Sequence, residues 1–319
     1  MSFTSVVKDE VTRLDTSRLE NISELSAIIR VAATINNEIN IVIENNAVAR
    51  RTFKLIKSIY DISPSITVRN KKLGKGLTYI LNIKNKPKEL LEDLSILDNN
   101  KYLEVPKEYI ISDEEQLRAY LRGVFLVSGS VNDPKTSRYH LEFILDTKEY
   151  SEFINKLLNS YDLNSRIIKR EKKYTVYIKE AEKISDFLRI IKAFSAVMYF
   201  EDIRIYRDHK NMTNRLNNCE QANIDKVFIT ASKQIKDIEK LYELDVVDLL
   251  DDKLKEVIDY RMKYKESSLK ELADIISLET GTEITKSGLN HRFRKIREIV
   301  EKIENKWLNI SLINYLFYI

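Results

Sequence analysis

The chain is poor in the residues that make covalent and metal staples. Its 319 residues include one cysteine, Cys219, which excludes an intrachain disulfide and any cysteine-rich zinc or iron–sulfur site. Three histidines, His140, His209 and His291, are scattered through the sequence, so a histidine-based metal site would need long-range convergence. No metal and no cofactor are expected. A run of about 18 apolar residues, the length of a membrane span, is missing. The opening MSFTSVVKDEVTRL carries charges through an amphipathic pattern and lacks the apolar centre of a secretion signal. The expected setting is a reducing cytoplasm, away from the membrane. A chain of this length buries a sizeable core and divides into two or three domains without such staples.

Acidic residues are scarce locally rather than overall, since 53 Lys and Arg face 49 Asp and Glu. Between residues 50 and 88, eleven basic residues stand against one acid, Asp61. Residues 164–179 carry Arg166, Lys169, Arg170, Lys172, Lys173 and Lys179 against Glu171, and residues 284–297 hold no acid at all. Acidic stretches such as 237–259 balance these islands. A surface sorted in this way suits a polyanion.

The sequence also repeats itself. Residues 25–60 match 117–161, both opening with Leu-x-Ala-x-(Ile/Leu)-Arg at Leu25 and Leu117. Each copy continues with an alternating strand (INIVI, YHLEFIL), a polar turn at Asn45 or Asp146, and an amphipathic helix whose apolar face includes Phe53 and Ile56 or Phe153 and Leu157. Two short strands follow in each, SITVR with LTYILNI and SRIIKR with KYTVYIK. Alternation sets Ile66 and Val68 opposite Thr67 and Arg69, giving each small sheet an apolar face and a polar-to-basic one. Two pseudo-symmetric α/β units, helices behind and sheets in front, would form a basic saddle.

A duplicated helix–strands–helix unit whose first helix ends in a glycine-bearing turn resembles the LAGLIDADG homing endonuclease fold. Laid on that motif, LRGVFLVSGSV puts Leu121, Gly123, Gly129 and Ser130 on the family's Leu, Gly, Gly and Ser. Ser128 then falls where the family places its metal-binding acid, and IRVAATINN puts Asn36 there in the first copy. Cleavage in that family needs a carboxylate from each copy to hold a divalent cation, and neutral Ser and Asn cannot supply the charge. As plain helix-end and turn residues they serve equally well.

From about residue 226 the pattern becomes helical without strands. Ser268, with Glu271 three residues on, reads as a capping-box start for a helix bearing Leu269, Leu272 and Ile276. After the polar ETGTEIT, a last helix carries Leu289, Phe293, Ile296, Val300 and Ile303 at core spacing. This is a helix-turn-helix pattern. Its recognition helix is expected to present Lys286, Ser287, Asn290, His291, Arg292, Arg294, Lys295 and Arg297 to DNA, with Asn suited to adenine, Arg to guanine and Lys to phosphate.

Taken together, MSFTSVVKDE, LRGVFLVSGSVNDPKTSRYHLEF, the joint NRLNNCEQANIDK and LKELADIISLETGTEITKSGLNHRFRKIREI resemble, nearly end to end, the WhiA family of bacterial DNA-binding regulators. The resemblance implies an α+β fold: a duplicated, degenerate LAGLIDADG-like saddle followed by an all-α helix-turn-helix domain. The expected boundaries are an N-terminal helix at 1–20, the saddle at 21–217 with repeats at about 21–100 and 113–210, a linker at 218–232, the helix-turn-helix domain at 233–305 and a tail at 306–319. The tail KWLNISLINYLFYI, unlike the family, is too short to span a bilayer and packs back on the helical unit or meets a partner. The implied function is transcription regulation linked to cell division, chromosome segregation and, in spore formers, sporulation, without nuclease activity. The expected partner is double-stranded DNA at promoter sites, with RNA polymerase or another regulator as the protein partner, for a monomer at the nucleoid. Arg69, Lys71 and Lys72 from one copy and Lys169, Arg170 and Lys172 from the other are the expected saddle contacts. Two rival readings are a metal-dependent homing endonuclease and an adaptor whose saddle binds protein or RNA while only the C-terminal unit touches DNA.

Overall fold

Fifteen-residue helices with side-chain N-caps begin each half of the repeat. In a computed structural model, which describes residues 2–70, 76–136 and 138–317, the chain divides into two units, Met1–Asp208 and His209–Ile319. The first unit opens with α1 (Phe3–Val11), then α2 (Arg18–Ala32), β1 (Ala33–Ile35), β2 (Ile39–Ile43), α3 (Asn46–Tyr60), β3 (Ser65–Asn70), β4 (Leu77–Ile83) and α4 (Pro87–Asp93). A small hairpin, β5 (Leu97–Asp98) and β6 (Lys101–Tyr102), leads to the second copy: α5 (Glu114–Ser128), β7 (Gly129–Val131), β8 (Leu141–Leu145), α6 (Lys148–Asn159), β9 (Arg166–Arg170), β10 (Lys173–Ile178) and α7 (Ala181–Ile190). Two antiparallel sheets result, ordered β1-β2-β4-β3 and β7-β8-β10-β9.

Local chemistry starts these helices where the sequence places them. Ser17 and Glu20 form a reciprocal capping box on α2, and the Asp113 carboxylate accepts from the Gln116 N–H at the start of α5. The Asn45 side chain accepts from Ala47 and Val48 at α3, and Thr147 accepts from Tyr150 at α6. Ile39, Ile41, Ile43, Leu81 and Ile83 of one sheet and Leu141, Phe143, Leu145, Val176 and Ile178 of the other are buried against the helices in one continuous core.

α2 and α5 pack directly on each other, and Gly123 permits it. A Cβ at that position would lie 2.4 Å from the Glu24 carbonyl oxygen and 2.8 Å from Ala27 Cβ. Buried in the same contact, Arg122 Nε donates to Glu24 Oε2 at 2.7 Å, and Arg51 reaches Glu24 Oε1 from α3 at 3.0 Å.

The expected N-terminal helix forms as α1 but is shorter than 1–20, since residues 18–20 already form the first turn of α2, and its Phe3, Val7 and Val11 belong to this core. Its Glu10 accepts from the N–H groups of Ser195 (2.7 Å) and Ala196 (3.0 Å) at the start of α8 (Phe194–Glu243). Lys8 lies 5.6 Å from the Phe125 ring centroid, and burial pushes its ammonium pKa down to about 8, against a smaller opposing pull from Glu44.

The second unit holds the rest of α8 with α9 (Asp252–Lys263), α10 (Leu269–Thr280) and α11 (Lys286–Phe317). Its core is Ile238, Leu241, Leu254, Val257, Ile258, Leu272, Ile276, Leu289, Phe293, Ile296 and Val300. The Ser268–Glu271 capping box forms, and Gly281 ends α10 at φ 70°, a left-handed conformation that favours glycine. The stretch 218–232, expected as a linker, is helical within α8, and the unit boundary falls at residue 208 rather than 217. No glycine or proline interrupts residues 194–243, so nothing in the sequence stops the helix. The tail likewise continues α11 as far as Phe317. How its side chains pack lies outside the described residues.

Two outcomes follow from these contacts. Gly123→Ala should destabilise the first unit by about 1–3 kcal/mol through overpacking, read as a lower urea midpoint. Because the folded chain binds the Lys8 proton more weakly than the unfolded chain, stability should rise with pH between about 8 and the ordinary 10.5. Lys8→Met should lack that rise when unfolding free energies are compared across the same pH series.

Candidate nucleic-acid interface

Thr285 Oγ1 accepts from the Gly288 N–H at 3.1 Å, which satisfies one of the open N–H groups where α11 begins. Leu289, Phe293, Ile296 and Val300 then sink into the core, so the residues between them are displayed. Lys286, Ser287, Asn290, His291, Arg294, Lys295 and Arg297 are exposed. Among the described residues, Lys286, Ser287 and Asn290 make no ion pair and no side-chain hydrogen bond. Arg294 lies 3.6 Å from Glu298 and donates to His291 Nδ1 at 3.2 Å, while Arg297 pairs with Glu301 at 2.9 Å. Lys295 reaches Asp251, the N-cap of α9, at 3.2 Å and holds that carboxyl below its usual range.

Arg292 corrects the expected set. Three residues after Leu289 and four before Ile296, it falls on the flank turned toward α9, where it pairs with Glu256 at 3.1 Å and is partly buried. It fastens two helices together instead of facing outward. The outward side of α11 therefore runs from Lys286 through Asn290 and Arg294 to Arg297.

The saddle is less uniform than the charge islands imply. On the face of the first sheet turned away from the helices lie Asn40, Val42, Thr67, Arg69, Ile80 and Asn82, and Asn82 donates to Asn40 at 2.8 Å. Arg69 is the one cation among the paired residues of that face, and Lys71 and Lys72 lie outside the described residues. Much of the basic excess of residues 50–88 sits elsewhere: Arg50, Arg51, Lys54 and Lys57 are on α3, with Arg51 committed to Glu24 and the Leu14 carbonyl. Nor are Ile66 and Val68 covered, since β3 is exposed on both faces at the sheet edge.

The second sheet carries more charge on its outer face. Arg166, Arg170 and Lys173 share that face with Tyr177 and Glu142. Lys173 pairs with Asp146 at 3.0 Å, and Glu142 with His140 at 3.1 Å. Of the three expected contacts here, only Arg170 faces outward. Lys169 pairs across the strands with Tyr174 on the opposite face, its ammonium 5.9 Å from the ring, and Lys172 lies in the turn between β9 and β10. Period-two alternation sends the neighbours Lys169 and Arg170 to opposite faces, and the turn at Glu171 and Lys172 takes Lys172 out of the ladder.

The acid position of the first copy also moves. α2 and α5 are each 15 residues long, each is followed directly by a three-residue strand, and Ala27 meets Gly123 where they cross. The equivalent of Ser128 is thus Ala32, and LSAIIRVAA is the first-copy motif. Asn36 sits four residues later in the turn between β1 and β2, its N–H donating to the Glu38 carbonyl. A shift of four is close to one helical turn, so the apolar pattern matches nearly as well in either register. Ser128 Oγ donates to the Val124 carbonyl at 2.8 Å. Neither helix end carries a carboxylate, and no cluster of three His, Cys, Asp or Glu converges among the described residues.

The second unit also holds a cleft, lined in part by Lys226, Arg261 and Lys270, that no sequence motif marks. Its nearest local signal is Lys270, two residues after the capping serine.

Three family models match the chain: the WhiA N-terminal LAGLIDADG-like domain over residues 18–97, the WhiA LAGLIDADG-like domain over 117–210, and the WhiA C-terminal HTH domain over 213–300. The chain is 45% identical over 311 residues to "Probable cell division protein WhiA" of Staphylococcus haemolyticus, covering 96% of this chain and 98% of that one. The protein of the same name from Staphylococcus aureus strain JH9 is 44% identical over 312 residues, with the same coverage. The crystal structure of full-length DUF199/WhiA from Thermatoga maritima shares the fold at a TM-score of 0.57 and 24% identity, over 95% of this chain and 99% of that one.

Arg292→Ala tests the reassignment of that side chain. It should lower the stability of the second unit by up to about 1 kcal/mol in denaturant unfolding, as expected for a partly exposed ion pair. The ratio of affinities for a preferred and a random duplex should stay as in the parent chain.

Proposed function

The chain belongs to the WhiA family, and from that premise we propose that it is a sequence-specific DNA-binding regulator of transcription that reads bases with the start of α11 and does not cut DNA. The observation that carries this reading is the display of Lys286, Ser287, Asn290, His291 and Arg294 on the first turns of a helix whose other side is locked in a core. Asn290 and Arg294 carry the donor and acceptor groups that pair with adenine and guanine edges in a major groove. Lys286 and Ser287, nearer the helix start, suit backbone phosphates.

The saddle's part is phosphate contact, strongest on its second sheet through Arg166 and Arg170, with Arg69 from the first. Its LAGLIDADG-like helices end in Ala32 and Ser128, which offer no anionic ligand to a divalent cation, so strand cleavage is outside its chemistry. The process served is transcription linked to cell division, chromosome segregation and, in spore formers, sporulation. Promoter DNA is the partner, with RNA polymerase or another regulator as the protein that reads the occupied site. The protein acts as a monomer in the cytoplasm, at the nucleoid.

One titration tests the reading. With magnesium present, the purified chain should bind a selected duplex without cleaving it. Asn290→Ala should lose about 1–3 kcal/mol on that duplex and much less on random DNA. Equal losses on both would reduce Asn290 to a backbone contact, and metal-dependent cleavage at a fixed sequence would overturn the regulator assignment.

A further inference from the structure

Four cations converge on one small cavity of the second unit without an acid among them. The cleft, of about 240 Å³, is bounded by Lys226 of α8, Arg261 of α9, Ser268 and Lys270 at the start of α10, and Lys286 at the start of α11. No Asp or Glu lines it. Lys226, Lys270 and Lys286 are exposed, and none of them makes an ion pair with any described residue. Surface lysines alone would be an ordinary solvated cluster.

Arg261 makes the cluster unusual. Arg261 is 1% exposed, and no carboxylate among the described residues pairs with it. Nη1 donates to the carbonyl oxygens of Ser267 (2.7 Å) and Tyr264 (3.3 Å), the guanidinium lies 5.4 Å from the Phe293 ring, and Nε has no acceptor. A buried guanidinium with an open N–H and no counter-ion is costly, and an anion in the adjoining cleft relieves that cost. The first turn of α10 adds N–H groups and the positive end of its dipole. Its capping box occupies the Ser268 and Glu271 N–H groups and leaves those of Leu269 and Lys270 without an acceptor among the described residues.

The size of the cavity and the number of donors around it fit a phosphate, which offers several acceptor oxygens in a compact tetrahedron. Its position favours a phosphate of a bound duplex, because Lys286 is both a wall of the cleft and the residue before Ser287 on the exposed turn of α11. We propose that this cleft seats one backbone phosphate of the DNA and so sets the register in which α11 meets the bases, an assignment that rests on the DNA-binding reading above. Register set by a phosphate contact carries no sequence information itself, yet it fixes which base edges the helix reaches.

The test uses the full chain with Lys226→Gln and Lys270→Gln together. Both side chains are exposed, so the fold is retained, and Lys236→Gln with Lys302→Gln serves as the charge-matched control. Affinity is measured for a selected and a random duplex over a salt series. The cleft variant should weaken binding to both and flatten the slope of log K against log salt by about 0.9, the effect of one lost phosphate contact. The ratio between the two duplexes should also fall, because α11 then meets the bases without its register contact, and the control should keep the parent slope and ratio. If the parent chain prefers no duplex over another, the DNA reading itself fails and takes this assignment with it. If the parent is selective but the cleft variant keeps the control's slope, the assignment alone is overturned. In that case, saturable binding of inorganic pyrophosphate that the cleft variant lacks would give the cleft to a free phosphate ligand instead.

Discussion

At Gly123 the backbone of α5 comes so near α2 that any added Cβ would press on the Glu24 carbonyl, and the first unit is arranged around that approach. The close contact encloses Glu24 and Arg122, whose side chains are fully buried. Among the described residues one nitrogen of Arg122 finds an acceptor, while Nη1 and Nη2 have none and Glu20 stands 4.0 Å away. A buried pair of this kind adds little net stability over an apolar replacement, but removing one member leaves a stranded charge that costs about 3–5 kcal/mol. The helix pair is thus held in one arrangement by a backbone contact that requires glycine and by charges that cannot be separated cheaply. From the ends of those helices the two sheets depart, and every side chain on the saddle face takes its place from that start.

The same helix ends are where a metal-dependent nuclease would hold its cation. With Ala32 and Ser128 there, the scaffold keeps its geometry and loses its ligand charge, which is consistent with a saddle that contacts a polyanion without reacting with it. The helical unit divides its own residues in a comparable way. Arg292 and Lys295 hold α11 to α9, whereas Asn290 and Arg294 stay exposed for the proposed base contacts. Fixing the helix with one set of cations while displaying another lets it present a defined surface at little loss of side-chain freedom.

Much of this organisation was legible in the residues. The strands around INIVI, SITVR, LTYILNI and KYTVYI, the capping box at Ser268 and the duplicated order follow from alternation, helical periodicity and cap chemistry, which are local. Misjudged features depend on what local pattern leaves ambiguous. The first-copy motif was displaced by four residues because one helical turn nearly preserves an apolar stripe, and only the crossing of Ala27 with Gly123 resolves the register. Arg292 looked like its neighbours because its ion partner, Glu256, lies 36 positions away. The basic excess of residues 50–88 read as one surface, although helix and strand distribute it to different sides. The resemblance implied a linker at residues 218–232, but a segment without glycine or proline has no instruction to leave a helix.

The central claim is that sequence choice resides at the start of α11 and that the saddle adds affinity without choosing sites. Genome-wide crosslinking of the parent chain and of an Asn290→Ala, Arg294→Ala variant, expressed at equal levels in cells lacking the parent gene, tests it most directly. The account expects parent sites that share one short motif, and a variant whose occupancy of those sites collapses toward background while non-specific retention on DNA persists in vitro. A variant that occupies the same sites with the same ranking would contradict it, because sequence choice would then lie outside the helix.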